Sequence, residues 1–164
     1  MSKRGKKIFL AICIITPFIL YCVYYYSIMI KNAPYRFSDF ESITFNYGLG
    51  DSLINRFDSK TGNYQFIDTR DSLVKTTVRL RKDDLLYLHR KAAELGFWNF
   101  PDEISDDNPD SNIRSPRYYL EFRYKEKSKH VLYDVRNNAP PKLNDAAKSL
   151  ITEVSNMIND TKDR

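Results

Sequence analysis

The chain has 164 residues, too few for two ordinary domains once its apolar N-terminal stretch is set aside. Its net charge of +5 would suggest a nucleic-acid partner. However, four of the 26 basic residues precede the apolar stretch, and the chain after Ile30 holds 22 basic and 21 acidic side chains. The basicity therefore belongs to the N-terminus, and no nucleic-acid partner is expected.

The apolar stretch is an uncharged run of 23 residues, 8–30. At ~1.5 Å per residue, a helix of this length reaches ~34 Å, enough to cross a hydrocarbon core of ~30 Å. Pro17 removes one helical hydrogen bond and predicts a modest kink, and the late tyrosines suit a headgroup boundary. We predict a transmembrane helix in contact with lipid, marked by Ile8, Pro17, Tyr21, Tyr24, Tyr25, Tyr26 and Ile30.

The charges that flank this run predict its orientation. Basic residues concentrate before it, and the positive-inside bias then keeps the N-terminus in the cytoplasm and exports the rest. The basic residues that set this topology are Lys3, Arg4, Lys6 and Lys7. We expect a single-pass protein of the inner (cytoplasmic) membrane with a cytoplasmic segment 1–7, a transmembrane helix 8–30, a tether 31–38 and an exported, periplasmic α+β domain 39–164.

Two other N-terminal signals fit the sequence less well. A cleaved signal peptide has an apolar region of ~7–15 residues that ends at a small-x-small site, and no such site clearly follows this longer run. A bacterial lipoprotein signal needs a small residue before its cysteine, whereas Cys13 follows Ile12 and Cys22 follows Tyr21. Both cysteines lie in the run, so the exported domain is stable without disulfides, as suits a bacterial envelope protein.

The first part of the exported domain alternates apolar and polar residues, as half-buried strands do. We predict one strand through Ile43, Phe45 and Tyr47, and a turn at 48–51. A hairpin follows with strands 53–57 and 64–68, and then another strand over 74–80. A phosphate-binding loop at 48–51 would need a helix after it, and none is expected there.

The apolar spacing becomes helical after Lys82 and predicts a helix that ends near Gly96. The apolar positions of this helix are Leu85, Leu88, Ala92 and Leu95. The aromatic residues that follow, Phe97, Trp98 and Phe100, are typical of a plug against a sheet, with a ligand-binding patch as the alternative.

The last third predicts a hairpin of strands 118–124 and 131–135, followed by a helix that Pro140 and Pro141 open. A four-residue turn would pair Phe122 with Val131 and Leu120 with Tyr133. The apolar stripe of the helix consists of Leu143, Ala147, Leu150, Val154 and Met157 or Ile158. The fold class is α+β: an antiparallel sheet of about five strands with two helices on one face, preceded by one transmembrane helix.

An acidic loop offers the one candidate metal site. Asp106, Asn108 and Asp110 have the spacing of the first ligands of a calcium loop, but Ser111 replaces its glycine and Arg117 its final glutamate. A solvated acidic loop is the default, and a looser Ca²⁺ site is the alternative. We expect no cofactor.

The remaining ionisable residues form no known catalytic motif. We expect His89 at the solvent edge of its helix, and His130 on the outer face of the last hairpin opposite Arg123. Glu121 and Asp134 are typical surface charges of a sheet, although such pairs also perform acid–base chemistry. Three lysines at the hairpin tip protect a sheet edge or, alternatively, contact an anionic lipid or polymer; they are Lys125, Lys127 and Lys129.

The segments FDSKTGNY (57–64) and LRKDDLLYLHRKAAELGFWNFPDE (80–103), with the late strand pair, resemble uncharacterised envelope proteins of Bacteroidetes-type bacteria that carry a lipoprotein signal or membrane anchor. The resemblance implies no activity. We predict a binding or scaffolding module with an envelope protein or polymer as its partner. The alternative is an envelope hydrolase that uses carboxylates or a loosely held metal in the acidic loop.

Overall fold

The structure is a computed structural model that describes residues 3–32, 35–106 and 114–163; at 3–4 and 27–32 it describes the helical backbone alone. The chain forms two compact units, 1–36 and 37–164. We describe each unit by itself.

The first unit is a single long helix, α1 (Lys3–Asn32), with Pro17 inside it. It extends beyond the apolar run at both ends and includes every residue predicted to mark the anchor. Within the described residues, one helical stretch, Gly5–Tyr26, is long and apolar enough to cross a membrane. The side chains of Lys6 and Lys7 are exposed, as are nearly all of the apolar side chains over 8–26. The Tyr21 and Tyr25 rings stack with centroids 6.3 Å apart.

The second unit is built on a seven-stranded sheet in the order β4-β3-β2-β1-β6-β7-β5. A 3₁₀ turn, Phe37–Asp39, leads into its central strand β1. The other elements, in chain order, are β1 (Phe40–Leu49), β2 (Ser52–Asp58), β3 (Asn63–Ile67), β4 (Leu73–Thr77), α2 (Lys82–Leu95), β5 (Glu103–Ile104), β6 (Pro116–Tyr124), β7 (Ser128–Asp134) and α3 (Pro141–Lys162).

The α+β class is confirmed, but the details of the sheet differ from the prediction. The sheet has seven strands rather than about five, and it is mixed because β5 pairs parallel to β7. A strand of two residues is too short to show alternation, so the sequence pattern could not reveal β5.

The register of the last hairpin also differs from the prediction by two residues. Leu120 pairs with Val131, and Tyr118 pairs with Tyr133. The Tyr124 N–H donates to the Lys127 carbonyl at 2.8 Å, so the turn is tighter than the four residues expected. Because a shift of two residues preserves the side-chain alternation, the apolar residues of both strands still share one face.

Both helices of the second unit pack on this apolar face. The Tyr133 hydroxyl of β7 donates to Asn144 Oδ1 of α3 at 2.6 Å. At the other end of α3, the Lys162 ammonium lies 4.9 Å from the centre of the Phe66 ring of β3. The predicted stripe of α3 is buried at Ala147, Leu150, Val154 and Ile158, whereas Leu143 and Met157 are partly exposed.

The aromatic residues after α2 plug the core, as the first of the two interpretations predicts. Phe97 and Phe100 are buried, and the Phe97 and Trp98 rings lie 5.2 and 5.5 Å from the Phe122 ring. Before them, α2 ends at Leu95 and is capped by Gly96, whose φ of 78° lies in the left-handed region. Since that conformation is strained for residues with a Cβ, glycine is the suitable residue there.

The prediction for His89 is wrong, since this side chain joins the aromatic plug. It is half-buried, and its Nδ1 lies 2.8 Å from the Tyr124 hydroxyl. Its ring also contacts those of Phe37 and Trp98. Burial, followed by the nearby charge of Arg90, lowers the pKa of His89. His89 lies four residues after Leu85 on the helix, so it borders the apolar stripe.

Candidate binding cleft

Three segments that are distant in sequence meet at one end of the sheet. They are the β1–β2 turn, the β3–β4 turn and the residues that lead into β6. Because β1 runs antiparallel to β2 and β6, and β3 antiparallel to β2 and β4, all three segments lie at the same strand ends. They border a cavity of about 500 Å³, which we call the strand-end cleft. This volume falls within the range of about 300–1,000 Å³ that is usual for ligand sites.

The strand-end cleft is lined by aliphatic side chains that remain open to solvent. Leu49 is 59% exposed, Ile54 41% and Ile67 39%. Leu73 lies next to them on the edge strand β4, where it pairs with Ile67, and it is 51% exposed. Exposed aliphatic groups are common singly, whereas a set on adjoining strands around one cavity is a candidate interaction site.

Two tyrosines from the central strands contribute aromatic surface to the cleft. Tyr47 and Tyr118 pair across β1 and β6, and their rings stack 6.0 Å apart at 18°. The Tyr47 hydroxyl lies 2.8 Å from the Tyr64 hydroxyl, so one donates to the other. Burial, followed by this hydrogen bond, raises the pKa of Tyr64.

Side chains occupy the space between β2 and β3 at the cleft. The two strands pair through Arg56–Gln65 and Phe57–Tyr64. Nearer the cleft, the Ile67 N–H donates to the Asn55 side-chain carbonyl at 2.8 Å. The Asn55 amide also donates to the Tyr47 carbonyl at 3.1 Å. The Asn55 side chain thus takes the place of backbone hydrogen bonds between β2 and β3, and the ends of these two strands separate.

One wall of the cleft carries Arg114. The Gly50 N–H donates to the Ser115 carbonyl at 2.9 Å and fixes this wall to the β1–β2 turn. Gly50 has a φ of 60°, and a methyl group added to it would meet the Arg114 methylenes at 3.6–3.9 Å. The Arg114 stem therefore lies against the glycine, while the residue as a whole is exposed.

A buried carboxylate braces the same wall. Asp134 accepts hydrogen bonds from the Ser115 hydroxyl and from Arg117 Nε, the latter at 2.8 Å, and Arg117 also pairs with Asp51. The Arg136 N–H donates to Asp134 at 2.8 Å. Burial acts to raise the pKa of Asp134, but these hydrogen bonds together hold it below its ordinary value.

The surface interpretation of Asp134 and Glu121 is wrong, since both are buried. Glu121 accepts from Arg123 at 3.2 Å and from the Tyr119 hydroxyl at 3.3 Å. His130 is exposed, as expected, but it pairs with Glu121 rather than with Arg123 because of the two-residue shift in register. Alternation alone assigned these acids to the outer face and could not show that neighbouring side chains cover them.

The opposite wall of the cleft is the β3–β4 turn, which presents Asp71. The Asp68 carboxylate organises this turn by accepting from the Arg70 and Ser72 N–H groups at 2.8 and 2.9 Å. Asp71 has a φ of 55°, the one positive value at a non-glycine position in the described chain. Its carboxylate forms no ion pair with a described residue, and neither does the Arg114 guanidinium.

A second, polar hollow of about 570 Å³ lies over β1, β2, β3 and β4. Arg56, Gln65 and Lys75 form one row across these strands. Such a row is the ordinary solvated face of a sheet.

The residues predicted to bind metal are not brought together in the described part of the chain. Asp106 faces Arg136 Nε at 4.0 Å, whereas Asn108 and Asp110 lie outside the described residues. No group of three His, Cys, Asp or Glu side chains among the described residues is placed to hold a metal ion. Of the tip lysines, Lys129 is engaged, donating to Asp102 at 2.6 Å and to the Phe100 carbonyl at 2.7 Å.

Sequence reasoning missed the strand-end cleft because its walls come from three separate turns. The one sequence feature that marks this site is the turn at 48–51, where the sequence predicts a turn without a binding role. No protein-family model, curated protein or solved structure is significantly similar to this chain.

Proposed function

We propose that this is a single-pass protein of a bacterial inner membrane whose α+β domain lies in the periplasm and binds an envelope component in the strand-end cleft. The apolar helix and the basic residues before it support the anchor and its orientation. The absence of cysteine after Cys22 suits a domain that does not depend on disulfides.

The observation that carries the binding role is the exposed aliphatic lining of the cleft. Leu49, Ile54 and Ile67 surround one cavity beside the Tyr47–Tyr118 stack. Burying such side chains against a ligand contributes about 25 cal/mol per Å² of apolar surface. The buried acids, by contrast, are bound to arginines and hydroxyls, an arrangement that braces the fold.

A reporter fusion tests the topology. Alkaline phosphatase fused after Arg164 should be active, because it folds only when exported, and a green fluorescent protein fused there should stay dark. Replacing Lys3, Arg4, Lys6 and Lys7 together by glutamine should weaken this preference. A fluorescent and phosphatase-inactive pair of fusions would overturn the orientation and the periplasmic location together.

Site-specific photo-crosslinking in cells tests the cleft. A benzophenone amino acid at Ile54 or Ile67 of the full chain should give discrete adducts. Tyr87 on α2 is the matched control, since it is aromatic and 44% exposed, similar to the 41% and 39% of the two isoleucines. Adducts at the isoleucines but not at Tyr87 are expected. Absence of adducts at both isoleucines, or equal labelling at Tyr87, would contradict a binding role for the cleft.

A further inference from the structure

From the charges at the rim of the strand-end cleft, we infer that its ligand is a short apolar peptide with free ends, an inference that rests on the proposed function. Asp71 would bind the ammonium end and Arg114 the carboxylate end. The aliphatic and aromatic lining would contact the side chains between them.

The two rim charges lie on opposite walls. Asp71 belongs to the turn between β3 and β4, whereas Arg114 leads into β6. In the sheet, β3 and β6 are separated by β2 and β1. Three strand spacings of about 4.8 Å place the two walls about 14 Å apart. An extended peptide spans about 3.3–3.6 Å per residue, so two or three residues reach about 7–11 Å and leave room for the rim side chains to contact both ends.

Among the described residues of this wall, Arg114 is the cation that forms no ion pair. The nearby Arg117 is already paired with Asp134 and Asp51. The Arg114 stem lies against Gly50, and the residue lines the strand-end cleft. A guanidinium binds a carboxylate through two parallel hydrogen bonds, which gives this end of the ligand a defined geometry.

Asp71 is similarly set apart from the interactions that build its own turn. Asp68 accepts the N–H groups of the turn, so the turn does not require the Asp71 carboxylate. The φ of Asp71, 55°, lies in the left-handed region, which aspartate tolerates better than most residues, so an acid fits this position of the turn. One carboxylate and one guanidinium at the rim of an apolar cavity match a zwitterion with an apolar body better than a polyanion or a neutral glycan.

Titration calorimetry of the full chain in lipid nanodiscs tests this inference, with the tripeptide Leu-Ala-Leu as the probe. The free tripeptide should bind, and Asp71→Asn and Arg114→Gln should each weaken binding at least fivefold. Asparagine also tolerates a positive φ, and glutamine retains much of the arginine stem, so both variants chiefly remove charge. Asp83→Asn and Arg90→Gln, on the exposed side of α2, are the matched controls and should bind as the unmodified protein does.

Blocked peptides assign each charge to one end of the ligand. The C-terminally amidated tripeptide should bind more weakly than the free form, and Arg114→Gln should cause no further loss with it. The N-acetylated tripeptide should likewise bind more weakly than the free form, and Asp71→Asn should cause no further loss with it. Absence of tripeptide binding, equal binding of free and doubly blocked peptides, or equal losses in the α2 controls would each overturn the inference. If adducts at Ile54 and Ile67 persisted in those cases, the cleft would still be a binding site and the peptide assignment alone would fail.

Discussion

Removal of the Arg117 side chain tests whether the wall of the strand-end cleft is held by a buried ion pair. In the Arg117→Ala variant, Asp134 keeps its hydrogen bonds from Ser115 and from the Arg136 backbone. It loses the one cationic side chain that bonds to it among the described residues. The Asp134 side chain is 7% exposed, so water replaces the arginine poorly, whereas Asp51 is 95% exposed and loses little.

The magnitude follows from this geometry. Removing one partner of a fully buried pair costs about 3–5 kcal/mol. The Arg117 side chain is 22% exposed and Asp134 retains two other donors, so we expect a loss of about 2–3 kcal/mol in the free energy of unfolding. For a unit of about 130 residues, this corresponds to a fall in Tm of about 8–12 °C.

The single tryptophan supplies the assay, because Trp98 packs against Phe122 and Tyr124 in the core. Its fluorescence during thermal unfolding of the full chain in nanodiscs reports loss of that packing. Lys91→Ala is the control, since it breaks the more exposed Lys91–Glu94 pair of α2 and should cost less than about 1 kcal/mol. Equal losses in the two variants would refute the assignment of Arg117 as a brace.

Two further predictions follow from the same end of the sheet. Because the pKa of Asp134 is lowered in the folded state, its contribution to stability is present above its ordinary pKa and is lost as the pH falls through the lowered value. The Tm of Asp134→Asn should therefore lie below that of the unmodified protein at pH 7, and the gap should narrow in melts between about pH 5 and pH 2; a constant gap would contradict this. Gly48→Ala should cost about 1–3 kcal/mol or more, because the new Cβ would lie 1.9 Å from the Ser52 carbonyl oxygen. Gly96→Ala should cost only roughly 1 kcal/mol, which is due to its positive φ, because the new Cβ meets nothing within 4 Å. If urea melts showed a larger loss of stability for Gly96→Ala than for Gly48→Ala, β1 and β2 would be able to adjust to the added methyl group.

Sequence patterning predicted the elements that bury one regular face. The stripe of α3 and the alternation of β6 and β7 were readable because each repeats over several turns or residues. The register of the last hairpin was not, since turns of two and four residues preserve the same alternation. β5 was not readable either, because its placement beside β7 depends on contacts distant in sequence.

The candidate site was less predictable than the fold. Its parts are single residues in turns, such as Asp71 and Arg114, which have no local pattern to distinguish them from solvated loop charges. The burial of Asp134 depends on Ser115 and Arg117, which reach it only after β6 and β7 pair. A sequence assigns charges to a face, but the depth of each charge is decided by the neighbours that tertiary packing supplies.

The position of β1 also has a mechanical consequence for a domain that follows a long apolar helix in the chain. The chain enters the domain at Phe37 and continues directly into β1, which is bonded to β2 on one side and to β6 on the other. Tension applied along the tether therefore reaches a central strand before any peripheral one. Extracting that strand requires the rupture of two ladders together, so the point of attachment is among the parts of the domain most resistant to pulling.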